Sequence, residues 1–122
     1  MIFFFFSRET EKQEIFNQST HSLFHLCRKN RTRQELAVNH GLVRVLLFVI
    51  KNNKPLKEFA VPLMCELAAT SLVTRSLVLK HHGIEFYLGL LLEKTSFVTD
   101  ALEAIAVWYF KKKKIKLNFH NI

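Results

Sequence analysis

The chain has 122 residues, 49% of them hydrophobic, with three glycines and two prolines. That length suits one domain with a buried core and is too short for two, and so little Gly and Pro excludes a turn-rich β-sandwich or barrel. The formal charge of +8 is concentrated in Arg28, Lys29, Arg31 and Arg33 and in the lysines at 111–114 and 116; such clusters serve nucleic acid or anionic lipid, or are plain solvated charge.

Residues 1–9 carry four phenylalanines at 3–6 and then a polar break. They read as a ragged apolar N-terminus. A bilayer span needs about 20 apolar residues, and no stretch of the chain is uncharged for that long. A secretory leader would put a basic residue before the apolar run and small residues after it. The expectation is a soluble, cytoplasmic protein. Cys27 and Cys65 form no CxxC and have no His/Cys ligand spacing around them, so they read as free, reduced, buried thiols.

A helix is expected over 10–29, with Ile15, Ser19, Ser22, Leu23, Leu26 and Cys27 at 3- and 4-residue spacings. Asn30 offers an N-cap for a short helix over 31–38. Gly41 ends that helix, as glycine does just past a helix C-terminus. Residues 42–50 follow with Arg44 as their one polar residue, which predicts a helix buried nearly all round. Residues 52–55 read as a loop, with Pro55 suited to the first turn of the next helix. Leu56, Phe59, Ala60, Leu63, Met64, Leu67 and Ala68 then make a full amphipathic face. Pro62, on the other face, is expected to bend that helix.

The same order returns. Residues 74–81 form a short helix, Gly83 breaks it, and 84–92 is again apolar. Thr95 and Ser96 supply a cap. Phe97, Val98, Ala101, Leu102, Ile105, Ala106 and Tyr109 make the second long amphipathic face. Beyond Phe110 the pattern gives way to a basic tail over 111–122, expected to be disordered by charge repulsion.

Gly41 and Gly83 lie 42 residues apart, and the long helices align at 41. The shorter offset maps Met64 back onto Leu23 and Ala68 back onto Cys27, which makes 10–29 the last helix of an earlier unit. This period predicts an all-α fold: an armadillo/HEAT-like α-solenoid fragment over 10–110, about two three-helix repeats plus a preceding lone helix. Such units expose apolar faces above and below, and stacking buries them. No polar capping helix stands at either end. The chain is therefore expected to be a piece of a larger array, or to self-associate through its uncapped ends.

Four segments carry a family resemblance: 30–35 (NRTRQE), 55–68 (PLKEFAVPLMCELA), 82–88 (HGIEFYL) and 100–108 (DALEAIAVW). They resemble the region C-terminal to the kinase domain in STE-type kinases of the fungal septation-initiation and mitotic-exit networks. The plant epsilon-type MAP kinase kinase kinases share it. The resemblance covers about residues 17–110. It implies a helical-repeat scaffold acting at spindle poles or division sites, in contact with a small GTPase or other network components. The chain has no glycine-rich loop, no His-Arg-Asp and no Asp-Phe-Gly, so no phosphoryl transfer is expected from it.

No catalytic constellation, cofactor motif or metal set is read from these residues. His21 and His25 are four apart on a helix but lack further ligands nearby. Peptide-reading armadillo proteins carry a Trp/Asn ladder on each third helix. The matching positions here are His21 and His25, Pro62 and Glu66, and Glu103 and Val107, so that ladder is missing. Glu66 and Glu103 would make the concave surface partly acidic and suited to a basic partner segment; a solvated face is the plainer alternative. Trp108 and Tyr109 end the last helix, either against a further unit or as a partner contact. Arg31 and Arg33 are the remaining candidates, for protein or, in the alternative reading, for nucleic acid.

Overall fold

A computed structural model describes residues 2–93 and 96–120, with side chains described over 9–93 and 96–111. Among these the fold is all-helical, with seven helices and no strand. They are α1 (Ile2–Cys27), α2 (Arg31–Asn39), α3 (Leu42–Asn52), α4 (Lys54–Thr70), α5 (Leu72–Lys80), α6 (Gly83–Leu92) and α7 (Val98–His120).

α4 is the central helix and packs on α1, α3, α5 and α7. Leu56, Ala60, Leu63, Met64, Leu67 and Ala68 are buried as the stripe predicts, while Phe59 is half in solvent. Val61 and Cys65, on another face, are buried as well. A helix with neighbours on both sides needs more than one apolar stripe. The helix runs unbroken through Pro62. Its start is set by Asn53, whose side chain accepts from the Leu56 N–H, with Pro55 in the first turn. Asn53 also caps the end of α3, so the expected four-residue loop shrinks to that single residue.

The short helices begin on side-chain caps. The Asn30 carboxamide accepts from the Arg33 N–H at 2.9 Å. Ser71 and Thr74 form a reciprocal capping box on α5. The Gln34 side chain is fully buried; its Nε2 donates to the Cys27 carbonyl at 2.9 Å and its Oε1 accepts from Thr70. Two short helices are thus fastened to the long helices before them by buried polar contacts rather than by apolar area alone.

These fastenings recur at a uniform 41 residues. Asn30 and Ser71 are the caps, and His40 and His81 the C-caps. Gly41 (φ +100°) and His82 (φ +61°) are the left-handed residues. Arg33 Nη1 donates to the Leu26 carbonyl and Thr74 Oγ1 to the Leu67 carbonyl. Gln34 and Arg75 reach the carbonyls of Cys27 and Ala68 in the same way. The 42-residue spacing of the glycines is therefore not the structural period. Gly83 does not break α5; His82 does, and Gly83 opens α6. Glycine is needed at 83 for another reason: a Cβ there would overlap Val78 Cγ1 and sit 2.8 Å from the Val78 carbonyl oxygen.

Other expectations shift. α1 begins at Ile2 rather than near residue 10, because no Gly or Pro interrupts the run. α7 continues to His120, past Phe110, since lysine and leucine are good helix formers. In α1 the buried residues are Thr20, Phe24 and Cys27, whereas Ile15, Leu23 and Leu26 are exposed. In α3, Phe48 and Val45 remain exposed, so that helix is one-sided. In α7, Ala101 and Ala104 are buried while Leu102 and Tyr109 face solvent. Thr95, half of the expected cap, lies outside the described residues.

Candidate functional site

Four of the six groove positions share one cleft, and His21 and His25 do not line it. A cleft of about 320 Å³ opens between α4, α7 and the corner joining α1 to α2, and Pro62, Glu66, Glu103 and Val107 all line it. Arg28, Lys29 and Asp100 complete its charged rim, with the two cations on the α1–α2 corner and Asp100 on the α7 side.

Glu66 has a structural task that sequence spacing did not reveal. One carboxylate oxygen accepts from Arg28 Nε at 2.7 Å and the other from the Lys29 backbone N–H at 2.7 Å. Lys29 is held at φ +55°, a left-handed conformation that costs a non-glycine residue about 1–2 kcal/mol. The bidentate carboxylate offsets that cost and locks the corner onto α4. Replacing Glu66 by alanine is expected to lower stability by about 1–3 kcal/mol, read as a lower urea midpoint with an unchanged slope.

Asp100 and Glu103 have no ion-pair partner among the described residues. They form the acidic side of the cleft. Cys65 lies beneath them, and its thiol is pushed up to about 12, first by burial and then by the negative charges of Asp100 and Glu103. Burial likewise raises Cys27, the positive charge of Arg33 acting against it. Both cysteines are free. A raised folded-state value favours the neutral thiol, so this contribution is intact below pH 9 and is lost as pH climbs toward 12. The expected result is negligible thiol labelling of the folded chain at pH 8 and stoichiometric labelling in denaturant. Rapid labelling of folded protein would contradict it.

Arg31 and Arg33 do not join the cleft. Arg31 pairs with Glu35 at 3.0 Å, holding that carboxyl below its ordinary value with help from the Ser71 hydroxyl. Arg33 closes on the Leu26 carbonyl at 3.2 Å. Three of the four cationic side chains at this corner are therefore engaged within the chain, which does not favour a nucleic-acid surface there. Trp108 is half-buried on α7, and Tyr109 points outward with its ring 6.0 Å from that of Phe110; neither lines the cleft. His21 sits edge-on to Phe59 at 4.3 Å and stacks with His25 at 6.4 Å. Among the described residues no group of three or more His, Cys, Asp or Glu is placed to hold a metal. No helix there is long and apolar enough to cross a membrane.

Sequence reasoning missed Asp100 and the work of Arg28. Asp100 was hidden by its place one turn before Glu103, outside the four-residue ladder spacing. The Arg28 contact joins residues far apart in sequence.

The chain is 38% identical over 96 residues, 79% of its length, to cytokinesis protein sepH of Emericella nidulans. It is 37% identical over 94 residues to MAP3K epsilon protein kinase 1 of Arabidopsis thaliana, 77% of the chain. With cell division control protein 7 of Schizosaccharomyces pombe it shares 29% identity over 100 residues, 82% of the chain and 9% of that protein. The chain spans about 7% of the length of the sepH and MAP3K epsilon proteins. No family model matches it, and no solved structure does. Along some four-fifths of its length, then, this chain is related to one short segment of a group of proteins named for cytokinesis, cell division control and protein kinase activity.

Proposed function

We propose that the chain is a non-catalytic, armadillo/HEAT-like α-solenoid segment that binds protein partners on behalf of a cytokinesis protein kinase. The observation that carries this reading is the 41-residue recurrence of caps, left-handed residues and inter-helix hydrogen bonds. Repeats of this kind stack and present a continuous groove. In this chain the groove is the α4–α7 cleft. Its acidic side, Asp100 and Glu103, takes a basic segment of the partner, while Glu66 is reserved for holding the corner. By resemblance the partner is a small GTPase or another component of the division network. The chain acts in the cytoplasm, at the spindle pole or division site.

The test is to express the chain, fused to a fluorescent protein, in dividing Schizosaccharomyces pombe cells. Enrichment at the spindle pole or septum is the expected result. A uniform distribution at every stage of division would overturn the reading.

A further inference from the structure

The 41-residue period lets three helices be compared face by face. On one side of α4, Ala60, Leu63 and Leu67 are fully buried. The matching residues of α7, Ala101 and Ala104, are buried and Trp108 half-buried. Their counterparts in α1, Ser19, Ser22 and Leu26, are exposed. On the other side the pattern inverts. Val61, Cys65 and Ala68 of α4 are buried, as are Thr20, Phe24 and Cys27 of α1. Their counterparts in α7, Leu102, Ala106 and Tyr109, are exposed. Among the described residues, α1 thus leaves open the face that α4 and α7 cover, and α7 leaves open the complementary one.

The two open faces match each other. α7 meets its neighbours with small residues, Ala101 and Ala104, and α1 offers small residues, Ser19 and Ser22, at the same positions. α4 turns Val61, Cys65 and Ala68 toward the next unit, and α7 offers Leu102, Ala106 and Tyr109 there. We propose that the chain associates head to tail with a second copy of itself, the α1 face of one copy seated on the α7 face of the next. The internal α4–α7 packing is the template. Pro62 of α4 and Glu103 of α7 line one cleft; carried forward one unit, this places Glu103 of one copy against His21 of the next, an acceptor against a donor. Glu103 is thus the charged residue of the contact and meets a hydrogen-bond donor there, while Leu102, Ala106 and Tyr109 on α7 and Ser19, Ser22 and Leu26 on α1 carry no charge that would oppose burial. A contact between two different patches does not close on itself, so the product is an open chain of copies rather than a symmetric dimer. This inference rests on the helical-repeat reading proposed above.

Sedimentation velocity of the full chain tests it, with Leu102→Glu closing the α7 face and Ser22→Glu closing the α1 face. Both positions are exposed, and circular dichroism confirms folding; Tyr109→Glu and Ser19→Glu serve as a second pair if either variant unfolds. For the wild type, the average mass should rise by a factor of about two or more with concentration. Each variant alone should stay monomeric. An equimolar mixture of the two should form a one-to-one dimer and nothing larger, because each supplies the face the other lacks. A wild type monomeric at every concentration, variants that associate like the wild type, or a mixture that stays monomeric would each overturn the proposal. A monomer that still reaches the division site would overturn this inference alone and leave the partner-binding reading intact.

Discussion

Tyr87→Ala is expected to lower stability by about 3–5 kcal/mol, the range for truncating a large buried aromatic residue. Tyr87 is the largest fully buried side chain, at 0% exposure, and its hydroxyl donates to the Met64 carbonyl at 2.7 Å. It therefore joins α6 to α4 through both apolar area and a buried hydrogen bond. Burial also raises its phenol above the ordinary value, as a donor kept neutral requires. The companion variant Tyr87→Phe separates the two contributions. It keeps the ring and loses the donor, so it should cost only about 1 kcal/mol, somewhat more if the Met64 carbonyl finds no other partner. Thermal and urea denaturation of both variants measure the split. Equal losses in the two would mean that the ring contributes little, contrary to its burial.

The second large effect lies at Gly83. A methyl group there overlaps the Val78 side chain and meets its carbonyl oxygen at 2.8 Å. The side chain can rotate, but the carbonyl belongs to α5 and moves only if the helix shifts. Gly83→Ala should therefore cost about 1–3 kcal/mol, as overpacking does. Its alignment partner Gly41 behaves differently. A Cβ there meets nothing within 4 Å, yet φ is +100°. Gly41→Ala should cost about 1–2 kcal/mol through backbone strain alone. A Val78→Ala background should relieve the loss at Gly83 in part and leave the loss at Gly41 unchanged. Relief at both positions, or at neither, would contradict this assignment of two causes.

The contrast between these glycines marks what the sequence could and could not reveal. Asn30, Gly41 and Pro55 act locally, through side-chain caps or fixed backbone angles, and each was legible at its position. The stripe of α4 was legible too, because a helix packed on its neighbours shows its apolar spacing. The face of α1 was not. Its exposed Ile15, Leu23 and Leu26 outweighed Phe24 in the pattern, since apolar residues on an uncovered face look like core. His82 was hidden by Gly83 beside it, glycine being the residue usually found in the left-handed region. The cleft was legible in part: Pro62, Glu66, Glu103 and Val107, read at equivalent positions 41 residues apart, line it together, whereas His21 and His25 do not. The role of Glu66 was not, since it depends on Arg28 and Lys29, which no periodicity connects to it.

On the function proposed above, the acidic side of the α4–α7 cleft is where a protein partner binds. Its most direct test is the division-site enrichment of the fluorescent chain carrying Asp100→Lys and Glu103→Lys together, against a control carrying Glu58→Lys on an exposed part of α4. The double variant should fall to the surrounding cytoplasmic level while the control keeps wild-type enrichment. Equal enrichment of both would contradict it.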